Sequence, residues 1–518
     1  MSSRNLFVAA TIACMTGALF GYSVGFIGGI LVLPSFLHHF HLDLLPAQDV
    51  ASAQSKIVSS WLAGCVIGVP LSVPVCSKYG RKLCIIFSAS LYIVGALMQL
   101  LDVHNLLSVF QLGRLLNGIG TGAGTLVSPL YIAETSPADQ RGALMSGYQV
   151  AIQIFALVGF WGAFTCNSIF DTTSNLQWQV PVLIQLLPGA ILFFGSLLVL
   201  PESPRWLISE GNTEAASKAL AWLRMSDENS NEISAEIARI QKTVDANTRL
   251  STSGQQKSFF QQILSPPLRK RMLVGAGIMI FQNLVGLNAL NYFSPIIFMS
   301  AGFISVSASL FLTGVFGLVK VITALLFMFV FIRVRGNRFW LLFGSALMGV
   351  CMFVLAFCIE QMPTPDPDQA STLNAHGVIS VLMVYIFAFA FGVSLGPISW
   401  NVCAEIFPSH INTKACAVTT CIQWLSQILI ASVTPPLIAF IGWGTYVVYG
   451  TCCVLAFFWC ALFVPETRGV AIGPDMDRAF GDSPKDDTIP EVAEIEDVDE
   501  TTSLIAKRRR RSSVAHVV

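Results

Sequence analysis

Several apolar stretches of this sequence carry uncharged amides. Phe281-Gln282-Asn283-Leu284-Val285-Gly286-Leu287-Asn288 holds Gln282, Asn283 and Asn288 close together, followed by Tyr292. Gln149 and Gln153 stand four apart, as do Gln423 and Gln427, so each pair shares a helix face. Trp400 lies in Gly396-Pro397-Ile398-Ser399-Trp400, and Trp424 follows Gln423. An amide both donates and accepts, so it can hold neighbouring hydroxyls, and an aromatic face can pack on a weakly apolar ring. This is equipment for recognising a polyhydroxylated small molecule. The same residue types also serve as glue between membrane helices, worth about 1 kcal/mol, and as core aromatics. No Ser/His/Asp grouping, metal-ligand cluster or phosphate loop stands out, so the sequence implies no catalysis, metal or cofactor.

Those residues must be positioned by helices in lipid. The chain has 518 residues, of which 54% are hydrophobic and 12% charged, against roughly 25% charged in a soluble domain. Single soluble cores stop growing at roughly 250–300 residues, so this much apolar surface calls for a bilayer. A span needs about 20 apolar residues. Twelve runs qualify: 7–33, 56–76, 83–102, 107–133, 143–165, 180–200, 272–300, 306–332, 339–359, 376–404, 414–439 and 443–464. The first is expected to be a span, since it is long enough to cross and does not look like a cleaved leader. The expected organisation is a six-helix bundle over 1–202, a cytoplasmic helical linker over 203–271, a second bundle over 272–466 and a disordered tail over 467–518. Net charge is zero, which points to no nucleic acid. The 13 cysteines are scattered through apolar runs and read as small buried hydrophobes. Lys78, Arg81, Lys82, Arg141, Arg333, Arg335, Arg338 and Lys414 fall in loops on one side with the linker, which predicts that both termini are cytoplasmic.

Two loop sequences repeat between the halves. Lys78-Tyr79-Gly80-Arg81-Lys82 follows the second span, and Arg335-Gly336-Asn337-Arg338 stands at the equivalent place in the second half. Pro201-Glu202-Ser203-Pro204-Arg205-Trp206 ends the first half, and Pro465-Glu466-Thr467-Arg468-Gly469 ends the second. The fourth span carries Gly113-Arg114-x-x-x-Gly118-x-Gly120-x-Gly122, then Pro129-x-Tyr131-x-x-Glu134 and Arg141-Gly142. Together these motifs resemble the sugar porters of the major facilitator superfamily, including fungal-type hexose, polyol and quinate permeases.

That resemblance implies an all-α fold of two six-helix pseudo-repeats and transport of a sugar or related polyol by alternating access. It maps Gln149, Gln282, Asn283 and Asn288 onto sugar-ligand positions, sets Trp400 beside the sugar and makes Tyr292 part of an outer gate. It assigns Glu134, Arg141, Glu202, Arg205, Glu405, Glu466 and Arg468 to cytoplasmic salt bridges, with Glu134 able to pair with Arg141. Family proton symporters carry an Asp on the first span, tuned by an Arg on the fourth. Here Arg114 is retained and Ser23 takes the Asp place, and Ser cannot exchange a proton near neutral pH. Uniport is therefore expected over proton symport. An acidic polyhydroxy substrate, such as quinate or a uronate, is the alternative that would supply charge to Arg114 and to Lys320, itself expected to snorkel toward the cytoplasm. A third reading is a sugar sensor that does not transport. The plasma membrane is the expected location, with the vacuole or another internal membrane as alternatives. In the tail, Glu500 to Ile505 fits an acidic dileucine pattern in which Leu504 and Ile505 would meet sorting machinery.

Overall fold

The protein is described by a computed structural model covering residues 4–101, 106–252, 261, 263, 265–300, 305–362, 375–407, 411–466 and 480. Within the first half, the long helices are α1 (Arg4–Ile30), α3 (Ala47–Tyr79), α4 (Arg81–Gln99), α5 (Leu107–Thr135) and α6 (Ala138–Ile169), with a short α2 (Pro34–His39). The sixth span is α7 (Leu176–Ile184) followed by α8 (Leu186–Leu198). Three polar helices come next: α9 (Pro204–Ser209), α10 (Thr213–Arg224) and α11 (Asn231–Thr252).

The second half opens on a broken span, α12 (Pro266–Leu284) and α13 (Leu287–Ser300). Then come α14 (Val306–Leu326), prolonged by a π-helical turn Phe327–Phe331 and the turn Ile332–Val334, and α15 (Asn337–Glu360). The tenth span is split into α16 (Ala375–Gly392) and α17 (Leu395–Glu405), and α18 (Asn412–Ile441) and α19 (Gly444–Phe463) complete twelve spans. Eleven of these are long and apolar enough to cross a membrane on composition. The remaining one, α5, is long enough, but Arg114, Asn117, Thr121, Thr125 and Ser128 dilute its apolar character. It can hold them because it is enclosed by α3 and α4 and meets lipid little.

Small residues bring backbones together. A Cβ at Gly118 would lie 2.0 Å from the Trp61 carbonyl oxygen, and one at Gly21 would lie 1.9 Å from that of Ile152. These contacts seat α5 on α3 and α1 on α6. The outward surface is apolar: Leu198, Phe440 and Leu462 are each at least 75% exposed, as befits side chains whose solvent is hydrocarbon. The cysteines are all free, and most are buried.

Contacts between the halves gather at the middle and on the face away from α9–α11, here called the far face. Ser59 and Ser432 hydroxyls lie 2.9 Å apart, and Asn167 Nδ2 donates to Ser307 Oγ at 3.1 Å. α3 lies along α18, α6 along α14, and α1 against α13. On the opposite, linker face, the described ion pair Arg81–Glu134 stays within the first half. This is the geometry of a two-bundle protein closed on the far face.

Candidate functional site

The break in the seventh span builds the site. Gly286 has φ +98°, a conformation that favours glycine, and it ends the α12 hydrogen-bond ladder between Val285 and Leu287. Its Cα faces the Tyr449 ring, where a Cβ would sit 2.8 Å from Cγ. Amides on both sides of the break then meet. Asn283 Nδ2 donates to the Met279 carbonyl at 2.8 Å and the Gln423 carbonyl at 3.3 Å. Asn288 Nδ2 donates to Asn283 Oδ1 at 2.6 Å, and Asn291 Nδ2 donates to Asn288 Oδ1 at 3.3 Å. Lys320 Nζ, from α14, closes the chain on Asn291 Oδ1 at 2.8 Å. A second branch runs from Gln423 Nε2 to Gln427 Oε1 at 2.9 Å and from Gln427 Nε2 to the Tyr292 hydroxyl.

Gln282 is buried and donates to the Gly396 carbonyl at 3.2 Å, but its Oε1 has no partner among the described residues. Gln153 Oε1 and Gln423 Oε1 are likewise buried without partners among the described residues. Unmet acceptors of this kind are costly unless something else donates to them. Trp424 is fully buried at the junction of the halves, with its Nε1 3.4 Å from Thr125 Oγ1 and its ring 5.0 Å from Phe20 and 5.6 Å from Trp61. Trp400 is half-buried on α17. Gln149 is half-buried on α6 and stands outside the amide chain. One member, Asn291, is an addition to the sequence reading. Asn291 could have been found from its i+3 spacing after Asn288. Lys320 is a correction: it points into the interior and does not snorkel.

Ser23 lies fully buried, 3.1 Å from the Tyr92 hydroxyl, and donates to Asn117 Oδ1 at 3.3 Å. Asn117 also accepts from Trp61 Nε1 at 3.0 Å and donates to Gln185 Oε1 at 3.3 Å. Arg114, one turn before Asn117, is 0% exposed. Its three guanidinium nitrogens have no hydrogen-bond partner among the described residues; the group packs between the Phe26 and Trp61 faces, 5.5 and 5.3 Å from their centroids.

Residues 9–474 match the family model described as "Sugar (and other) transporter". The chain belongs to that family. It is 31% identical over 483 residues to a probable quinate permease of Aspergillus flavus, covering 93% of this chain and 89% of that one. It is equally 31% identical, over 484 residues, to a quinate permease of Emericella nidulans, at 93% and 89% coverage. Among solved structures, the proton:xylose symporter XylE bound to 6-bromo-6-deoxy-D-glucose superposes with TM-score 0.76 at 25% identity, over 93% of this chain and all of the other. A partially occluded inward-open form of the E. coli xylose transporter superposes at 0.73 and 24% identity, which speaks for the fold alone. As a sugar (and other) transporter, the chain is a membrane transporter with the twelve-helix, two-bundle fold of the major facilitator class.

On the linker face of this sugar transporter, the repeated loops become repeated structure. Glu202 accepts from the backbone N–H of Arg81 at 2.8 Å and of Lys82 at 3.1 Å, capping the start of α4 beside Gly80. Glu466 accepts from Asn337 at 2.9 Å and Arg338 at 3.2 Å, capping α15 beside Gly336. A carboxylate at a helix N-terminus meets both orphan donors and the positive end of the dipole. Burial raises the Glu202 carboxyl above the usual glutamate value, opposed by the N–H donors of Ser203, Lys82 and Arg81. Glu134 pairs with Arg81 Nη2 at 2.8 Å and accepts from Ser203 Oγ. Arg205 is half-buried in the first turn of α9 and makes no ion pair among the described residues. Arg224 ties the linker helices to α5 through the Thr135 carbonyl at 3.1 Å. The side chains of Arg141 and Glu405, and residues Arg468, Leu504 and Ile505, lie outside the described residues.

Proposed function

We propose that the chain carries a sugar-like, polyhydroxylated solute by uniport, rocking two bundles about the amide chain of the broken seventh span. The single observation that carries this is the run Gln282–Asn283–Asn288–Asn291, which places hydroxyl-binding groups together at the junction of the halves and leaves the Gln282 carbonyl oxygen unmet. Gln149, Gln153, Trp400 and Trp424 complete the reading of the site, with Tyr292 at its outer gate. Uniport is favoured because Ser23 and Asn117 stand beside Arg114 where a coupling carboxylate would be needed, and the spans carry Asp or Glu only in their end turns. The division at 1–202, 203–271, 272–466 and 467–518 follows the two bundles and their connections. The linker face is read as cytoplasmic from its Lys and Arg, with both termini there and the plasma membrane as the site of action. Arg141, Arg205, Glu405 and Arg468 are read as further members of the linker-face gate, and Leu504 and Ile505 as a sorting signal.

A second reading, an acidic polyhydroxy substrate, is favoured by two observations. The relatives above are named quinate permeases, and Arg114 and Lys320 are buried with no acidic partner in contact among the described residues.

The experiment is uptake by purified protein in liposomes, using labelled glucose, sorbitol and quinate, with and without an imposed pH difference. The expected result is protein-dependent equilibration of at least one solute, with no accumulation when only a pH difference is applied. Accumulation driven by the pH difference alone contradicts uniport, and failure of every polyhydroxylated solute to enter contradicts the carrier reading.

A further inference from the structure

Lys320 sits where a lysine is hardest to accommodate. It is 14 positions from Val306, where α14 begins (320 minus 306), and 14 from Val334, where the span ends (334 minus 320). At 1.5 Å per residue that is about 21 Å from either end, beyond the reach of a four-carbon stem, so its charge cannot reach an interface. The side chain is 6% exposed. Its ammonium faces Phe316 at 5.3 Å and, across the junction of the halves, Phe160 of α6 at 5.7 Å. Three donors meet one described acceptor, the neutral Asn291 Oδ1.

A buried charge is normally matched by an opposite charge or a metal. The described spans cannot supply one, since their acids lie only in end turns. Arg114 is a different case: its charge lies between two aromatic faces and outside the amide chain. Lys320 instead ends the chain that begins at the candidate solute ligands, one amide away from Asn288. Gln153 lies two turns from Phe160 on α6, and its buried Oε1 has no donor among the described residues. A solute with hydroxyls for the amides and a carboxylate for the ammonium would complete both sets.

We propose that Lys320 anchors a carboxylate of the carried molecule, and hence that the substrate is a polyhydroxylated monocarboxylate. The proposal rests on the reading that the seventh-span amides hold the solute. Asn291 then acts as a positioning residue, holding the ammonium toward the site while it is empty and tying it to the hydroxyl ligands when it is full.

The test is tryptophan-fluorescence titration of purified protein with quinate and with its uncharged methyl ester, two probes with the same hydroxyl-bearing ring. Charge-assisted contacts of this kind are worth about a tenfold to hundredfold change in affinity. Wild-type protein is expected to bind quinate at least about tenfold tighter than the ester. Lys320→Gln should lose that preference while holding the ester within about twofold, and Lys320→Arg should keep it. Equal wild-type affinity for acid and ester overturns the proposal, and this arm stands even if Lys320→Gln fails to fold. Parallel loss of both ligands in a folded Lys320→Gln variant also overturns it. Binding of glucose alone overturns the carboxylate and spares the carrier reading, whereas binding of no polyhydroxylated solute overturns both.

Discussion

Gly286→Ala is the smallest change that probes the break in the seventh span. At φ +98° an alanine is strained, at a cost of about 1–3 kcal/mol. Its Cβ would lie 2.8 Å from Tyr449 Cγ and 3.1 Å from both Cδ atoms, an overpacking that typically costs about 1–3 kcal/mol. The ring cannot retreat freely, because the Tyr449 hydroxyl is hydrogen-bonded to Thr434 at 2.6 Å. The combined cost is about 2–6 kcal/mol, and the chain is expected to relieve it by rotating α12 against α13. That rotation separates Asn283 from Asn288, whose amides now meet across the break. If only about 1.4 kcal/mol appears as lost binding geometry, affinity falls tenfold. The assay is initial uptake in a transporter-null host, normalised to surface protein, alongside fluorescence titration of purified protein. Tyr449→Leu in the same chain should recover part of the loss, since it removes the collision and leaves the strained φ. Uptake and affinity of Gly286→Ala within twofold of wild type would refute the argument that this break sets the site.

Three further outcomes are expected. Gly80→Ala, at φ +90° with a Cβ 2.3 Å from Glu202 Oε2, should lower thermal stability in detergent and reduce transport. For Glu202→Gln the sign follows from the raised carboxyl: the folded state holds that proton more tightly than the unfolded chain. Its stabilising effect is therefore greatest at acidic pH and fades as pH rises through the folded value. The melting temperature of wild type minus that of Glu202→Gln should accordingly be larger in acid than at neutral pH, and the opposite trend removes the assignment. Ser59→Cys with Ser432→Cys, replacing hydroxyls 2.9 Å apart across the halves, should cross-link on oxidation, halt transport and release it on reduction. Continued transport while cross-linked would contradict movement of the far face.

Element identity is legible wherever lipid imposes length. Reading the sequence places the fourth span at 107–133 against the observed Leu107–Thr135, although its polar residues hide it from hydropathy alone. The glycine motif reveals it, because those glycines let the backbone approach α3 at Gly118 and Gly122 and α4 at Gly113 and Gly120. The paired loops are legible for a similar reason: Glu202 and Glu466 each cap a helix start beside a glycine, a local chemistry that the repeated spacing preserves. Which way a side chain points is much less legible. Spans that are apolar on every face give no phase from which to read rotation. Lys320 is thus as compatible with snorkelling as with the interior until α14 is packed on α6, and Gln149, on the same face as Gln153, looks equivalent to it until packing buries Gln153 and leaves Gln149 half-buried. Glu134 illustrates partner choice. Its partner Arg81 comes from a turn distant in sequence, where α3 and α4 meet.

The most direct measurement is counterflow of a labelled polyhydroxylated solute by purified protein in liposomes, comparing wild type with a Gln282→Ala, Asn288→Ala double variant. Loss of counterflow in a variant with wild-type folding and insertion is the result expected of a solute site built on the broken seventh span. Counterflow at the wild-type rate would mean that the solute crosses without those amides, and the site would have to lie elsewhere.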